Sequence, residues 1–100
     1  GARFHHDAYR GPMIRRHLVV HGHVQGVHFR AATGQQARDH ALAGWVANRA
    51  DGTVEAELEG DPDQVAAVLR WCHDGPPSAR VERVDVTDLE PTGEVGFEVR

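Results

Sequence analysis

The order of strand and helix signals predicts an α+β fold, arranged as strand, helix, strand, strand, helix, strand and a short extra C-terminal strand. Three observations support it. A glycine-bearing loop joins the first strand to the first helix, Asp51-Gly52 marks a hairpin, and Asp61-Pro62 marks the start of a second helix. Two βαβ-type crossovers around one hairpin form a ferredoxin-like split βαβ (βαββαβ) sandwich, with an antiparallel sheet and two helices on one face.

Length and composition limit the possible classes of protein. A chain of 100 residues has room for one domain with one modest core, and an apolar fraction of 40% is ordinary for a globular protein. The net charge is −4 without a basic stripe, so we expect no nucleic-acid partner. No apolar run is long enough to cross a membrane and no hydrophobic signal segment is present, so we expect a cytoplasmic protein without a membrane partner.

Residues 1–12 carry no periodic pattern, and we interpret them as a poorly ordered N-terminal extension or a remnant of a tag. This assigns residues 13–100 to the folded domain. The pair His5-His6 is more typical of a tag than of a metal site.

The first half of the domain alternates between strand and helix periods. Residues 14–21 alternate as a strand, and residues 29–42 place small and apolar side chains four apart, as on one face of a helix. We expect Gly44 to stop that helix. Residues 45–49 and 53–59 form the arms of a hairpin with a type I′ turn at Asp51-Gly52.

The second half has equally clear signals. In the second hairpin arm, four alternating side chains are expected to face water: Thr53, Glu55, Glu57 and Glu59. Asp61 is the expected N-cap of the second helix, with Gln64 as its capping-box partner and Gly75 as its end. A strand around Val84 and Val86 follows, and then a short strand with two inward-facing side chains, Phe97 and Val99.

The stretch from His21 to Arg30 is the strongest functional signal. Gly22 and Gly26 allow tight turns, because glycine takes positive φ without a side-chain clash. Such a loop leaves unpaired N–H groups at the positive end of the helix dipole, which predicts an anion pocket with phosphate as the usual guest. The cation of Arg30 is unfavourable in a first helical turn by roughly 0.3 kcal/mol or more, and a bound anion removes that conflict.

Three linked motifs follow one another at fixed separations: Gly-His-Val-Gln-Gly-Val-His-Phe-Arg at 22–30, Gly-Trp-Val-Ala-Asn at 44–48, and Asp-Gly-Thr-Val-Glu at 51–55. With these motifs the sequence resembles the acylphosphatase family, far more specifically than a lone glycine-rich loop allows. The resemblance implies a small, metal-free hydrolase of the anhydride between a carboxylate and a phosphate. It also implies a small-molecule acyl phosphate as substrate and no cofactor, and we expect a monomer.

The resemblance further implies roles for individual residues. Arg30 and Asn48 would be the catalytic residues, the first holding two phosphoryl oxygens bidentately and the second orienting the attacking water. A carboxamide is too weak a base to take a proton, which could pass to the phosphate of the substrate. The phosphoryl group would be held by the backbone amides of six successive residues: Gln25, Gly26, Val27, His28, Phe29 and Arg30.

Two other functions stay open on the sequence alone. A non-catalytic ferredoxin-like module could bind an anionic metabolite or a phosphate through the same loop. An RNA-binding sheet of this topology would need paired aromatic residues on its central strands, and residues 53–59 contain none.

The remaining chemistry-bearing residues have simpler interpretations. Zinc needs three or four converging ligands, which argues against a metal site among His17, His21, His23 and His28. We hypothesise that the two histidines of the loop, His23 and His28, tune the affinity for anions at low pH. Cys72, on an apolar helical stripe, is predicted to be core rather than nucleophile, and Trp45 and Trp71 are predicted to pack.

Overall fold

Five strands and two helices make up residues 11–100, the part of the chain that the computed structural model describes. Predictions for residues 1–10 lie outside the described residues. The elements are β1 (Ile14–His23), α1 (Phe29–Asp39), β2 (Ala43–Asn48), β3 (Val54–Gly60), α2 (Pro62–Asp74), β4 (Arg80–Leu89) and β5 (Phe97–Val99). The predicted βαββαβ order with a short added strand is confirmed.

The strands form one sheet in the order β4-β1-β3-β2-β5. The pairs β1–β3, β1–β4 and β2–β3 are antiparallel, as predicted, but β5 runs parallel to β2. The expectation of a purely antiparallel sheet is therefore wrong at this edge. After β4, at one edge of the sheet, the chain crosses to the opposite edge. There β5 lies beside β2 and runs in the same direction.

The hydrophobic core lies between one face of the sheet and the two helices. Leu18, Val46 and Leu58 from the strands are fully buried, as is Cys72 from α2. Burial raises the pKa of the Cys72 thiol to about 12, which leaves it protonated at neutral pH. The prediction that Cys72 belongs to the core is confirmed.

The end of α1 differs from the prediction. The helix ends three residues before position 42, and Gly44 lies inside β2 instead of stopping it. Ala41, at φ 56°, makes the left-handed turn, and the Leu42 N–H donates to the Ala37 carbonyl oxygen as in a Schellman motif. Gly44 has another purpose, because a Cβ there would lie 1.9 Å from the main-chain oxygen of Glu57.

The β2–β3 hairpin also departs from the predicted type I′ turn, which needs positive φ at both central residues. Only Gly52 has positive φ, at 92°. The Asp51 carboxylate accepts hydrogen bonds from the N–H and the hydroxyl of Thr53, at 3.0 and 2.6 Å. The Arg49 N–H donates to the Thr53 carbonyl oxygen at 2.9 Å and closes a three-residue loop over positions 50–52.

The helix α2 begins where it was predicted to begin, but one of the predicted hydrogen bonds at its N-terminus is not formed in the described part of the chain. Asp61 is the N-cap, and its carboxylate accepts from the N–H of Asp63 at 2.8 Å. The predicted capping-box pairing with Gln64 is not formed within residues 11–100. Gly75, at φ 69°, ends the helix as expected. Neither α1 nor α2 has the length and apolar composition needed to cross a bilayer.

The acidic side chains of β3 are less exposed than predicted: Glu55 and Glu57 are half-buried and Glu59 is buried. The Glu59 side chain is only 5% exposed and accepts from Arg15 Nη1 at 2.8 Å, while Glu57 accepts from Arg15 Nε at 2.7 Å. Glu55 pairs with His17 at 2.7 Å. Thr53 is also buried. The prediction failed because the basic side chains lie on β1, which pairs with β3 only in the folded sheet.

Candidate active site

A cleft of about 290 Å³ opens where the β1–α1 loop, the first turn of α1 and the end of β2 meet. The loop and the helix contribute most of its wall, and β2 contributes its last residue. Seven residues line it: Val24, Gly26, His28, Phe29, Arg30, Ala31 and Asn48. The structure thus brings together Arg30 and Asn48, the two residues expected to be catalytic.

The loop between β1 and α1 is anchored by apolar side chains and turned by two left-handed residues. Val24 and Val27 are buried and hold the loop on the core. Gly26 has φ 75°, and His28 has φ 64°, a conformation that non-glycine residues seldom adopt. These turns aim the chain into α1 with its N-terminus at the cleft.

Gly22 does not belong to the loop. It lies inside β1, where the register with β4 shifts between His21 and Gly22. A Cβ at Gly22 would lie 2.1 Å from the main-chain oxygen of Arg80. The expectation that Gly22 turns the anion loop is therefore wrong, because this glycine instead permits a close approach between two strands.

The first turn of α1 leaves amides available to the cleft. His28 is the N-cap but makes no side-chain capping bond, and the first turn has no acidic residue. The N–H of Ala32 donates to the His28 carbonyl oxygen, so the amides of Phe29, Arg30 and Ala31 have no partner within the helix. Together with the helix dipole, they give this end of the cleft a positive potential.

Arg30 adds a full positive charge at the same place. Its side chain is exposed, and Nη1 donates to the main-chain oxygen of Arg100 at 2.9 Å. Within residues 11–100 this is its one hydrogen bond, and no acidic side chain there pairs with it. The Nε–Nη2 edge of the guanidinium is therefore available to a second acceptor, which suits the two oxygens of a phosphoryl group.

Asn48 reaches the cleft because of strand alternation. It lies two residues after the fully buried Val46, so its side chain lies on the same face of the sheet as the helices. Its backbone pairs with Val54 on β3. The side-chain amide has no hydrogen-bond partner within the described part of the chain, which leaves its donors and its acceptor available.

Two predicted phosphate-binding residues do not line the cleft. Val27 is buried, and its carbonyl oxygen accepts from the Ser78 hydroxyl at 3.4 Å. The Gln25 side chain instead reaches the hairpin, where Nε2 donates to the carbonyl oxygens of Arg49 at 2.6 Å and Thr53 at 2.9 Å. Sequence reasoning missed this contact, since it considered only the backbone amide of Gln25.

The four histidines considered as metal ligands do not converge. His17 pairs with Glu55, and His21 Nε2 donates to the Asp85 carboxylate at 2.9 Å, both away from the helices. His28 alone lines the cleft. No group of three or more potential ligands suited to a metal occurs within residues 11–100.

Comparisons with known proteins identify the family of the chain. The acylphosphatase family model matches residues 16–99. The acylphosphatase of Thermococcus kodakarensis is 52% identical over 86 residues, which is 86% of this chain and 94% of the relative. The chain belongs to the acylphosphatase family.

Solved structures of acylphosphatases have the same fold. The enzyme of Coxiella burnetii superposes with a TM-score of 0.85 at 34% identity, covering 88% of this chain and 93% of the other. The acylphosphatase from Bacillus subtilis gives 0.84 at 33% identity, covering 87% and 98%. The predicted ferredoxin-like fold, the family and the acylphosphatase activity are confirmed, and a non-catalytic module is not favoured.

Proposed function

We propose that this acylphosphatase binds the phosphoryl group of its substrate in the cleft at the N-terminus of α1. The backbone of the β1–α1 loop, at positions 24–28, and Arg30 would hold the phosphate, and Asn48 would orient the attacking water. The observation that carries the proposal is the shared cleft, because Arg30 and Asn48, 18 positions apart in the sequence, line the same 290 Å³ space.

The positive charges at the α1 end of the cleft are complementary to the negative charge of a phosphoryl group. The amides at the start of α1 and the guanidinium of Arg30 place positive potential where the phosphate oxygens would lie. Phosphoryl transfer leaves little covalent work to the protein, so positioning and charge stabilisation account for most of the rate. Gly26, His28 and Phe29 line the same wall, and their backbone amides would add donors for the phosphate.

The reaction can proceed without a protein base. Water attacks phosphorus, the bond from phosphorus to the acyl oxygen breaks, and the carboxylate leaves with the electron pair. The proton of the water passes to a phosphate oxygen, which gives inorganic phosphate. Asn48 would hold the water by its carboxamide, and a carboxylate is a good enough leaving group to make a metal unnecessary in principle.

Hydrolysis of benzoyl phosphate in excess chelator tests this proposal. We expect the parent protein to turn over at an unchanged rate with chelator. Arg30→Ala and Asn48→Ala should each lose roughly 100- to 1,000-fold in kcat, the usual effect of removing one transition-state donor. The controls are Arg70→Ala and Gln35→Ala, which truncate exposed side chains on the helices outside the cleft.

Equal rates in all variants would refute the assignment of the site. A rate that disappears with chelator would instead support a metal-dependent reaction. Circular dichroism of each variant ensures that a lost rate reflects the site rather than unfolding.

We further propose that the enzyme acts as a cytoplasmic monomer on small-molecule acyl phosphates, without a nucleic-acid partner. Arg30 and Asn48 of a single chain line the cleft together, so the proposed reaction needs no group from a second copy, and the net charge of −4 does not favour a polyanion. Light scattering after size-exclusion chromatography tests the monomer, since a dimer would have twice the mass of 11.0 kDa.

A further inference from the structure

The carboxamide of Gln25 bridges two parts of the site. Its nitrogen donates both of its hydrogens, one to the Arg49 carbonyl oxygen at 2.6 Å and one to the Thr53 carbonyl oxygen at 2.9 Å. Gln25 belongs to the loop before α1, while the two acceptors close the β2–β3 hairpin. The acceptors belong to opposite arms, so one side chain joins the anion loop to both arms of the hairpin.

These contacts lie directly beside the residue proposed to orient water. Arg49 follows Asn48 in the chain, and Thr53 precedes Val54, the residue that pairs with Asn48 across the hairpin. The Thr53 carbonyl oxygen also accepts from the Arg49 N–H, which completes the closure. Any displacement of the loop from the hairpin would therefore change the distance between the amides of α1 and the Asn48 side chain.

We propose that Gln25 is a positioning residue, which sets the geometry between the phosphate held by the loop and the water held by Asn48. This proposal rests on the proposed function of Arg30 and Asn48. Gln25 does not line the cleft, so it acts through the backbone that carries other groups and does not contact the substrate by its side chain. Attack in line on phosphorus is sensitive to such geometry, and a misplacement of about 1 Å costs on the order of 100-fold in rate.

A positioning role predicts a separation of kcat from phosphate affinity. Gln25→Ala keeps the backbone amide of the loop and leaves Arg30 and the start of α1 unchanged. We expect kcat to fall by about 10- to 100-fold. The inhibition constant of inorganic phosphate, measured as a competitive inhibitor, should change by less than about 3-fold, because the donors that hold the phosphate remain.

A double-mutant cycle with Asn48→Ala tests whether Gln25 acts through Asn48. If it does, Gln25→Ala should change kcat by less than about 3-fold once Asn48 is absent, although it slows the parent strongly. Equal effects of Gln25→Ala in both backgrounds would overturn the positioning role. A loss of phosphate affinity as large as the loss of kcat would also overturn it, because Gln25 would then shape the loop alone.

Two further variants keep the size of the side chain in case Gln25→Ala does not fold. Gln25→Met has no donor and should be slow at every pH. Gln25→Glu can donate to a carbonyl oxygen only when protonated, so its kcat relative to the parent should rise as pH falls. The proposal would be contradicted if the kcat of Gln25→Glu relative to the parent did not change with pH, or if Gln25→Met had full activity.

The controls separate this proposal from the one on which it rests. Gln35→Ala removes an exposed glutamine side chain of α1 whose one hydrogen bond within residues 11–100 is to Asp39, at 2.8 Å, and should leave kcat unchanged. If Asn48→Ala alone retains full kcat, the proposed function fails and the positioning role falls with it. If Asn48→Ala lowers kcat but the effects of the two substitutions on kcat simply add, only the role of Gln25 is refuted.

Discussion

Arg30 and Arg100 are joined by a hydrogen bond of 2.9 Å from Nη1 of the first to the main-chain oxygen of the second. The guanidinium of Arg100 in turn lies 4.6 Å from the centroid of the Trp45 ring, and its Nε donates to Glu98 at 2.6 Å. The chain after β5 is thus fixed to β2, and it restrains one end of the Arg30 guanidinium. The other edge of that guanidinium points to no acceptor within residues 11–100.

Arg30→Lys should impair catalysis although it keeps the charge. A lysine ammonium cannot bond the Arg100 oxygen and two phosphoryl oxygens in one plane, as the guanidinium fork can. We expect kcat/KM for benzoyl phosphate to fall by roughly 100-fold. The control is Arg70→Lys on α2, and parent-like kinetics for Arg30→Lys would show that charge alone suffices.

The buried cluster around Glu59 should make stability depend on pH in the acid range. Burial opposes ionisation of Glu59, but hydrogen bonds from the Thr92 N–H, Arg15 and the Gly93 N–H outweigh it and hold its pKa below the ordinary value. Because the folded pKa is depressed, the stabilisation is present above the unfolded pKa of about 4.3 and is lost as pH falls through the folded value.

Glu59→Gln tests this cluster by chemical denaturation at several pH values. The variant removes the charge that pairs with the buried Arg15, and losing one partner of a buried ion pair costs about 3–5 kcal/mol. We expect a lower free energy of unfolding at pH 7 and a weaker decline below about pH 4 than in the parent. If the free energy of unfolding declined with pH equally in the two proteins, Glu59 would not be responsible for the pH dependence.

Gly44→Ala should destabilise the fold far more than Gly93→Ala. Both glycines have positive φ, so an alanine is strained at either position. At Gly44 the new Cβ would also lie 1.9 Å from the Glu57 carbonyl oxygen, whereas at Gly93 no atom of the described residues 11–100 lies within 4 Å of it. We expect about 1–2 kcal/mol of destabilisation at Gly93 and more at Gly44, measured as the free energy of unfolding in urea.

Cys72 should not react with iodoacetamide while the protein is folded. Burial removes the thiol from solvent and raises its pKa to about 12, so thiolate is scarce at pH 8. Mass spectrometry should detect labelling only after denaturation. Rapid labelling of the native protein would contradict the burial of this helix face.

The sequence by itself was sufficient for the order of the elements, and its three linked motifs pointed to Arg30 and Asn48 through the resemblance to the acylphosphatase family. The sequence contains hydrophobic periods of two and four, the Asp61 cap and the three linked motifs. Each of these is a local feature, which can be recognised from residues that are close together in the chain. They predicted the seven strands and helices of residues 11–100 in the correct order. They placed the end of α1 wrongly, because Ala41 adopts a left-handed turn that its residue type does not favour.

Only the tertiary structure decided which distant side chains meet. The bridge from Gln25 to the hairpin, the burial of Glu59 against Arg15 and the contact of Arg30 with Arg100 join residues 24 to 70 positions apart. Such contacts depend on strand register and on the crossing of β5 to the far edge, which no local pattern specifies. The residue types could therefore indicate a phosphate site, while the packing of the sheet set its geometry.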